Sequence, residues 1–116
     1  MRMWCADPAT MCRAHLLGEH NEVHMLAGCI RKGKNLGRFL TDKLVDPARA
    51  RARHDELAAE MIRRGYHHQS PLPSFKWTGP QIYCSEDLAR HDSELRRRCP
   101  ECRAMSSRPG CFATRP

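Results

Sequence analysis

No run of about 18 apolar residues occurs anywhere in the chain, so no segment is expected to span a membrane. The opening MRMWCADP lacks the apolar stretch of a secretory signal. These two absences point to a cytoplasmic protein. Alternating apolar and polar runs are missing, which removes the strand signal, and no internal repeat is present. Aromatics make up only 6% of the residues, and lysine supplies just 4 of the 20 basic side chains. Cysteine is not scarce, but its seven copies are odd in number and irregularly spaced, unlike a disulfide framework.

What is present is arginine. Sixteen arginines leave a formal net charge of +7 on 116 residues. A guanidinium fork matches two phosphate oxygens, so nucleic acid is the leading partner and a solvated basic surface the plainer alternative. The length suits one domain with a single core. The expected fold is all-α: a single compact domain of three main helices with long loops over residues 1–103, followed by a mobile tail over 104–116.

Asp7-Pro8 reads as a helix start and Gly33 as its stop. Between them Cys12, Leu16, Val23, Leu26, Ala27 and Ile30 form a stripe at helical spacing. Asp46-Pro47 repeats the start signal for a second helix that runs to Arg64 and stops at Gly65, with Leu57, Ala58, Met61 and Ile62 towards the core. Residues 66–81 hold three prolines and a glycine and read as an ordered loop with aromatic anchors. Ser85 is expected to cap a third helix ending near Arg98.

At about 100° per residue, His15, Glu22 and Leu26 lie within about 20° of one line, with Glu19 about 40° away. Glu22 therefore sits at the border of the apolar stripe, where a carboxylate can be shielded and still reach a ligand. A free N-terminal amine near a carboxylate supplies the parts for imine chemistry on a sugar carbon. The competing reading pairs Glu19 and Glu22 with arginines of the second helix. His20 and His24 have a spacing that can bind metal, but the zinc-protease pattern needs Glu straight after the first His, and Asn21 stands there. That pair is not expected to be a metal site.

HLLGEHNEV (residues 15–23) and RHDELAAEMIRRG (residues 53–65) together resemble the pyrimidine-dimer DNA glycosylases of the phage endonuclease V type. Met1-Arg2, His15-Leu16, Gly18-Glu19 and Asn21-Glu22 fall in the register of that family without a gap, and Ser70 to Leu72 resembles the segment after its second helix. The resemblance covers about residues 1 to 75, and LARHDSELRRRCPECR is similar to the tails of short relatives. It implies DNA repair by a glycosylase that is also an abasic-site lyase. Met1 would be the amine nucleophile, retained because Arg2 blocks its removal, and Glu22 the catalytic carboxylate. Arg2, His15 and Asn21 would contact DNA at the lesion, with Arg31, Lys32, Lys34, Arg38 and Lys43 along the backbone. The implied partner is double-stranded DNA carrying a lesion, bound by a monomer, with no cofactor. The chain departs from the family prototype at Ala14, where Gln is expected, and at Asn21 and Met25, where arginines are. The prototype's aromatic C-terminus has no counterpart. Another damaged or modified base is therefore an alternative target.

Cys99-Pro-Glu-Cys102 has the spacing of half a zinc knuckle. Cys111 is the candidate third ligand, and Cys5 or a histidine the fourth. Cys84 is excluded by the helix between, about 20 Å long. A zinc-stabilised, non-enzymatic nucleic-acid-binding module is thus a second reading of the whole chain, and a helix-ending turn with buried thiols a simpler reading of the motif.

Overall fold

The structure, a computed structural model, describes residues 1–68 and 70–106. Five helices and no strand occur among these residues: α1 (Arg13–Arg31), α2 (Arg38–Thr41), α3 (Ala50–Arg63), α4 (Ser85–Arg98) and α5 (Pro100–Ser106). The all-α expectation holds, with two short helices added to the three long ones. No helix among them is long and apolar enough to cross a membrane.

The long helices follow the apolar spacing. Leu16, Val23, Leu26 and Ala27 of α1 are fully buried, and α1 packs chiefly on α3 through Leu57, Ala58 and Met61. Ile62, expected at this face, is 61% exposed. It lies about 100° around the helix from Met61, which turns it to solvent. Both helices end as their glycines suggest. Gly33 at φ +70° and Gly65 at φ +87° adopt the left-handed conformation that closes a helix. At the first of these, Lys34 N–H donates to Cys29 O at 3.0 Å and Gly33 N–H to Ile30 O at 3.0 Å.

The helix starts differ from the sequence expectation. Asp7 caps only a single 3₁₀ turn, Pro8–Thr10, before Met11 and Cys12 extend. The carbonyls that a continuous helix would use are taken by distant arginines. Arg64 donates to Pro8 O and Met11 O, and Arg96 to Thr10 O. Asp46-Pro47 likewise opens a 3₁₀ turn, Pro47–Arg49, and not α3 itself. Asp46 is fully buried, and its carboxylate accepts from the Ile82 and Tyr83 N–H groups at 3.1 and 3.0 Å and from Arg49 Nε at 3.0 Å. It joins two loops where a cap was expected. At α4, Cys84 holds the cap position in place of Ser85, with Asp87 accepting from its N–H at 3.0 Å.

The first residues thread into the core. Met3 is buried, its N–H donates to Leu44 O at 2.8 Å, and its carbonyl accepts from the Tyr83 hydroxyl at 3.0 Å. That fixes where the amine of Met1 emerges. Residues 66–81, apart from 69, carry no helix, and Tyr66, Leu72, Phe75 and Trp77 anchor them on the core as expected. At the C-terminal end α5 carries the chain on to Ser106, three residues into the expected tail; residues 107–116 lie outside the described residues.

Candidate functional site

A cavity of about 320 Å³ opens at the junction of the N-terminal segment, α1 and the end of α4. Arg2, Trp4, His15, Gly18, Glu19, Glu22 and Arg98 line it. The buried N-terminal strap delivers Arg2 and Trp4, and one face of α1 delivers His15, Gly18 and Glu22. Gly18 leaves open space, since a Cβ there would meet nothing within 4 Å.

Glu22 is half-buried, and desolvation raises its pKa above the ordinary carboxyl value. The charge of the Met1 amine and a hydrogen bond from the Arg2 backbone oppose that rise. The Met1 amine is thus near enough for its charge to act on Glu22, although Met1 is not among the residues that line the cavity. Glu19, one turn away, has a different fate. It is buried and held bidentately by Arg53 of α3, with Nε on Oε2 at 2.6 Å and NH2 on Oε1 at 2.9 Å. Burial alone would lower the pKa of Arg53, but the Glu19 hydrogen bonds and charge outweigh it and raise it. The pairing with the second helix therefore ties up Glu19 in the cavity wall, while Glu22 on the same cavity has no such arginine partner.

Arg2 stacks over the Trp4 ring at 4.3 Å and reaches His91 Nδ1 at 3.2 Å. It is a fixed cation in the cavity wall. Asn21, Arg31, Lys32, Lys34 and Arg38 are exposed, as a backbone-tracking surface requires. Arg38 lies 3.5 Å from Asp42, and Lys43, half-exposed at φ +53°, lies 3.6 Å from Asp87. Arg98, which sequence reasoning did not single out, also faces the cavity while Glu94 holds it at 2.5 Å. The arginine run 96–98 was the available signal.

Behind the cavity wall Cys12, His15, Cys99 and Cys102 converge, with ligand atoms all within 4.8 Å of one another. Cys12 Sγ lies 3.8 Å from Cys99 Sγ and 3.2 Å from His15 Nδ1, and Cys102 Sγ lies 3.7 Å from the same nitrogen. Zn–S bonds of about 2.3 Å at tetrahedral angles separate two sulfurs by about 3.8 Å. Backbone N–H groups of Cys102 and Cys12 point at Cys99 Sγ and Cys102 Sγ, at 3.4 and 3.2 Å. Such donors, with that of Glu101, outweigh burial and draw the Cys99 thiol below its usual pKa. The donor set can hold a zinc ion. Cys99 and Cys102 take part as expected, but the partners found are Cys12 and His15. Cys5 is not in the cluster, and Cys111 lies outside the described residues. The signal was available, because Cys12-x-x-His15 repeats the spacing of Cys99-x-x-Cys102. His15 has two sides: its ring lines the cavity and its Nδ1 faces the thiols.

A second convergence joins His20 and His24 of α1 to His54 of α3 and His68 of the following loop, again within 4.8 Å. The sequence expectation that His20 and His24 form no metal site considered those two alone, and the fold adds two more.

A family model described as pyrimidine dimer DNA glycosylase matches residues 1–74, which contain the amine, Glu22, the α1–α3 pair and all four of these histidines. No individual curated protein and no solved structure matches the chain.

Proposed function

The chain belongs to the pyrimidine dimer DNA glycosylase family, and from that premise we propose that it excises a dimerised pyrimidine through an imine formed by its own N-terminal amine. The observation that carries this reading is a half-buried Glu22 in an arginine-flanked cavity that the N-terminal segment borders through Arg2 and Trp4. The neutral amine attacks C1′ of the damaged nucleotide. The C1′–N bond breaks and the base leaves with its electron pair and takes up a proton. Glu22 stabilises the positive charge that develops on the sugar and relays the protons. Opening of the sugar ring gives the imine, which acidifies the C2′ hydrogen. Loss of that proton expels the 3′ phosphate, and water then releases the enzyme. Arg2 and Arg98, which line the cavity, hold flanking phosphates, and a dimer lowers the cost of extruding the nucleotide. None of these steps requires a cofactor.

The same reading includes a structural Zn²⁺ on Cys12, His15, Cys99 and Cys102. It would bind α5 to the start of α1 and orient His15 at the cavity. Because that cluster would equally suit a DNA-binding module without chemistry, the deciding experiment is borohydride trapping on duplexes carrying a thymine dimer, an abasic site or no lesion. A covalent complex on dimer DNA that maps to the N-terminal peptide supports the glycosylase. Trapping on abasic DNA alone keeps the amine chemistry and moves the target to another base, in keeping with Asn21 and Met25 where the prototype has arginines. Salt-sensitive binding with no trapping leaves the module. Zinc content of the purified chain, with loss on Cys102→Ser, tests the metal.

A further inference from the structure

We propose that His20, His24, His54 and His68 form a second metal site, an all-imidazole centre for a first-row divalent transition ion. It lies on the side of α1 away from Glu22 and shares no ligand with the cysteine cluster.

Four histidine rings pack with centroids 4.6 to 5.1 Å apart, and one ring nitrogen of each lies within 4.8 Å of the others. Four nitrogens around a metal at about 2.0–2.1 Å stand about 3.3 Å apart, so small side-chain shifts close the site. His20 Nε2 and His68 Nε2 already approach to 2.9 Å. Nε2 of His24 and Nε2 of His54 are buried and have no hydrogen-bond partner, a costly state for polar nitrogens that a shared cation would relieve.

The surroundings prepare those nitrogens. His54 Nδ1 is 3.1 Å from the Asp55 carboxylate, the arrangement that fixes a ligand imidazole with its Nε2 lone pair free. Simple packing of four imidazoles explains none of this convergence of unpaired nitrogens. Imidazole-only donor sets suit zinc, nickel, copper and iron, and exclude magnesium and calcium, which take oxygen.

A metal here would tie three parts of the chain together. It would clamp α1 to α3 beside the Glu19–Arg53 pair, since His20 and His54 directly follow those residues, and would pin the loop that begins at Tyr66.

The test is a Co²⁺ titration of the full chain followed by visible absorption. Two equivalents are expected: one with sulfur-to-cobalt charge transfer from the cysteine cluster, and one with weaker ligand-field bands alone. The double variant His24→Ala/His68→Ala changes two half-exposed rings and leaves the core intact. It should lose the second equivalent and keep the charge-transfer band. Asp55→Asn should weaken that second equivalent about 10-fold. A single equivalent with charge transfer in the wild type overturns the proposal, as does a double variant that still takes two. One equivalent without charge transfer supports the histidine site and removes the zinc reading of the cysteines, so the two fail separately.

Discussion

Glu19 and Glu22 stand one turn apart on the same helix, and their surroundings make them different groups. Glu19 faces α3, where Arg53 meets both its oxygens and excludes water. Glu22 lines the cavity half-buried, and a positive charge that acts on it is that of the Met1 amine, a group able to serve as a nucleophile. Both are at least partly desolvated. The difference is the partner: a delocalised guanidinium that cannot give up its proton makes a joint, and an amine that can makes a candidate reaction centre.

That contrast can be broken at either end. Glu22→Gln should lower strand cleavage of dimer DNA by about 10²–10⁴-fold and leave the melting temperature and duplex binding unchanged. Equal cleavage by mutant and wild type would remove Glu22 from the chemistry. Arg53→Ala should do the reverse. It strands a buried carboxylate and costs about 3–5 kcal/mol, read as a lower urea midpoint. Replacing the pair together, Glu19→Leu with Arg53→Met, should recover most of that loss, because two apolar side chains need no desolvation of charge. If the double variant is as unstable as Arg53→Ala, the cavity end of α1 depends on the ion pair itself. The finest probe is Gly18, on the Glu22 side. Gly18→Ala fills open space and should stabilise α1 by about 1 kcal/mol, seen as a higher melting temperature. Gly18→Leu should keep that stability and obstruct the cavity, so cleavage falls while folding does not.

The parts legible in the sequence were those set by neighbours along the chain. The α1 and α3 stripes, the stops at Gly33 and Gly65 and the extent of α4 all follow from side-chain spacing and glycine conformation. So did the placing of Glu22 at the edge of the apolar face, and the anchored loop after Gly65. The helix starts were not legible, because Asp7 and Asp46 carry the right local signal for a cap. Arg64, Arg96 and the N–H groups of Ile82 and Tyr83 claim the oxygens that a cap and a first turn would need. These partners are far away in sequence, and no window of residues contains them.

The two ligand clusters show the same division. Sequence by itself determined the residue types and the local spacings: Cys12 to His15, Cys99 to Cys102, His20 to His24. It also determined the basic charge and the match to the family over residues 1–74. Only the tertiary structure decided which half-site meets which, that Cys99 closes on Cys12 and not on Cys84 or Cys5, and that His54 and His68 complete a set of four. A helix fixes what lies three or four residues away through its own hydrogen bonds. What meets across the fold is fixed by packing between elements: α1 on α3 gathers the histidines, and α5 against the turn before α1 brings Cys12 and Cys99, 87 residues apart, into contact.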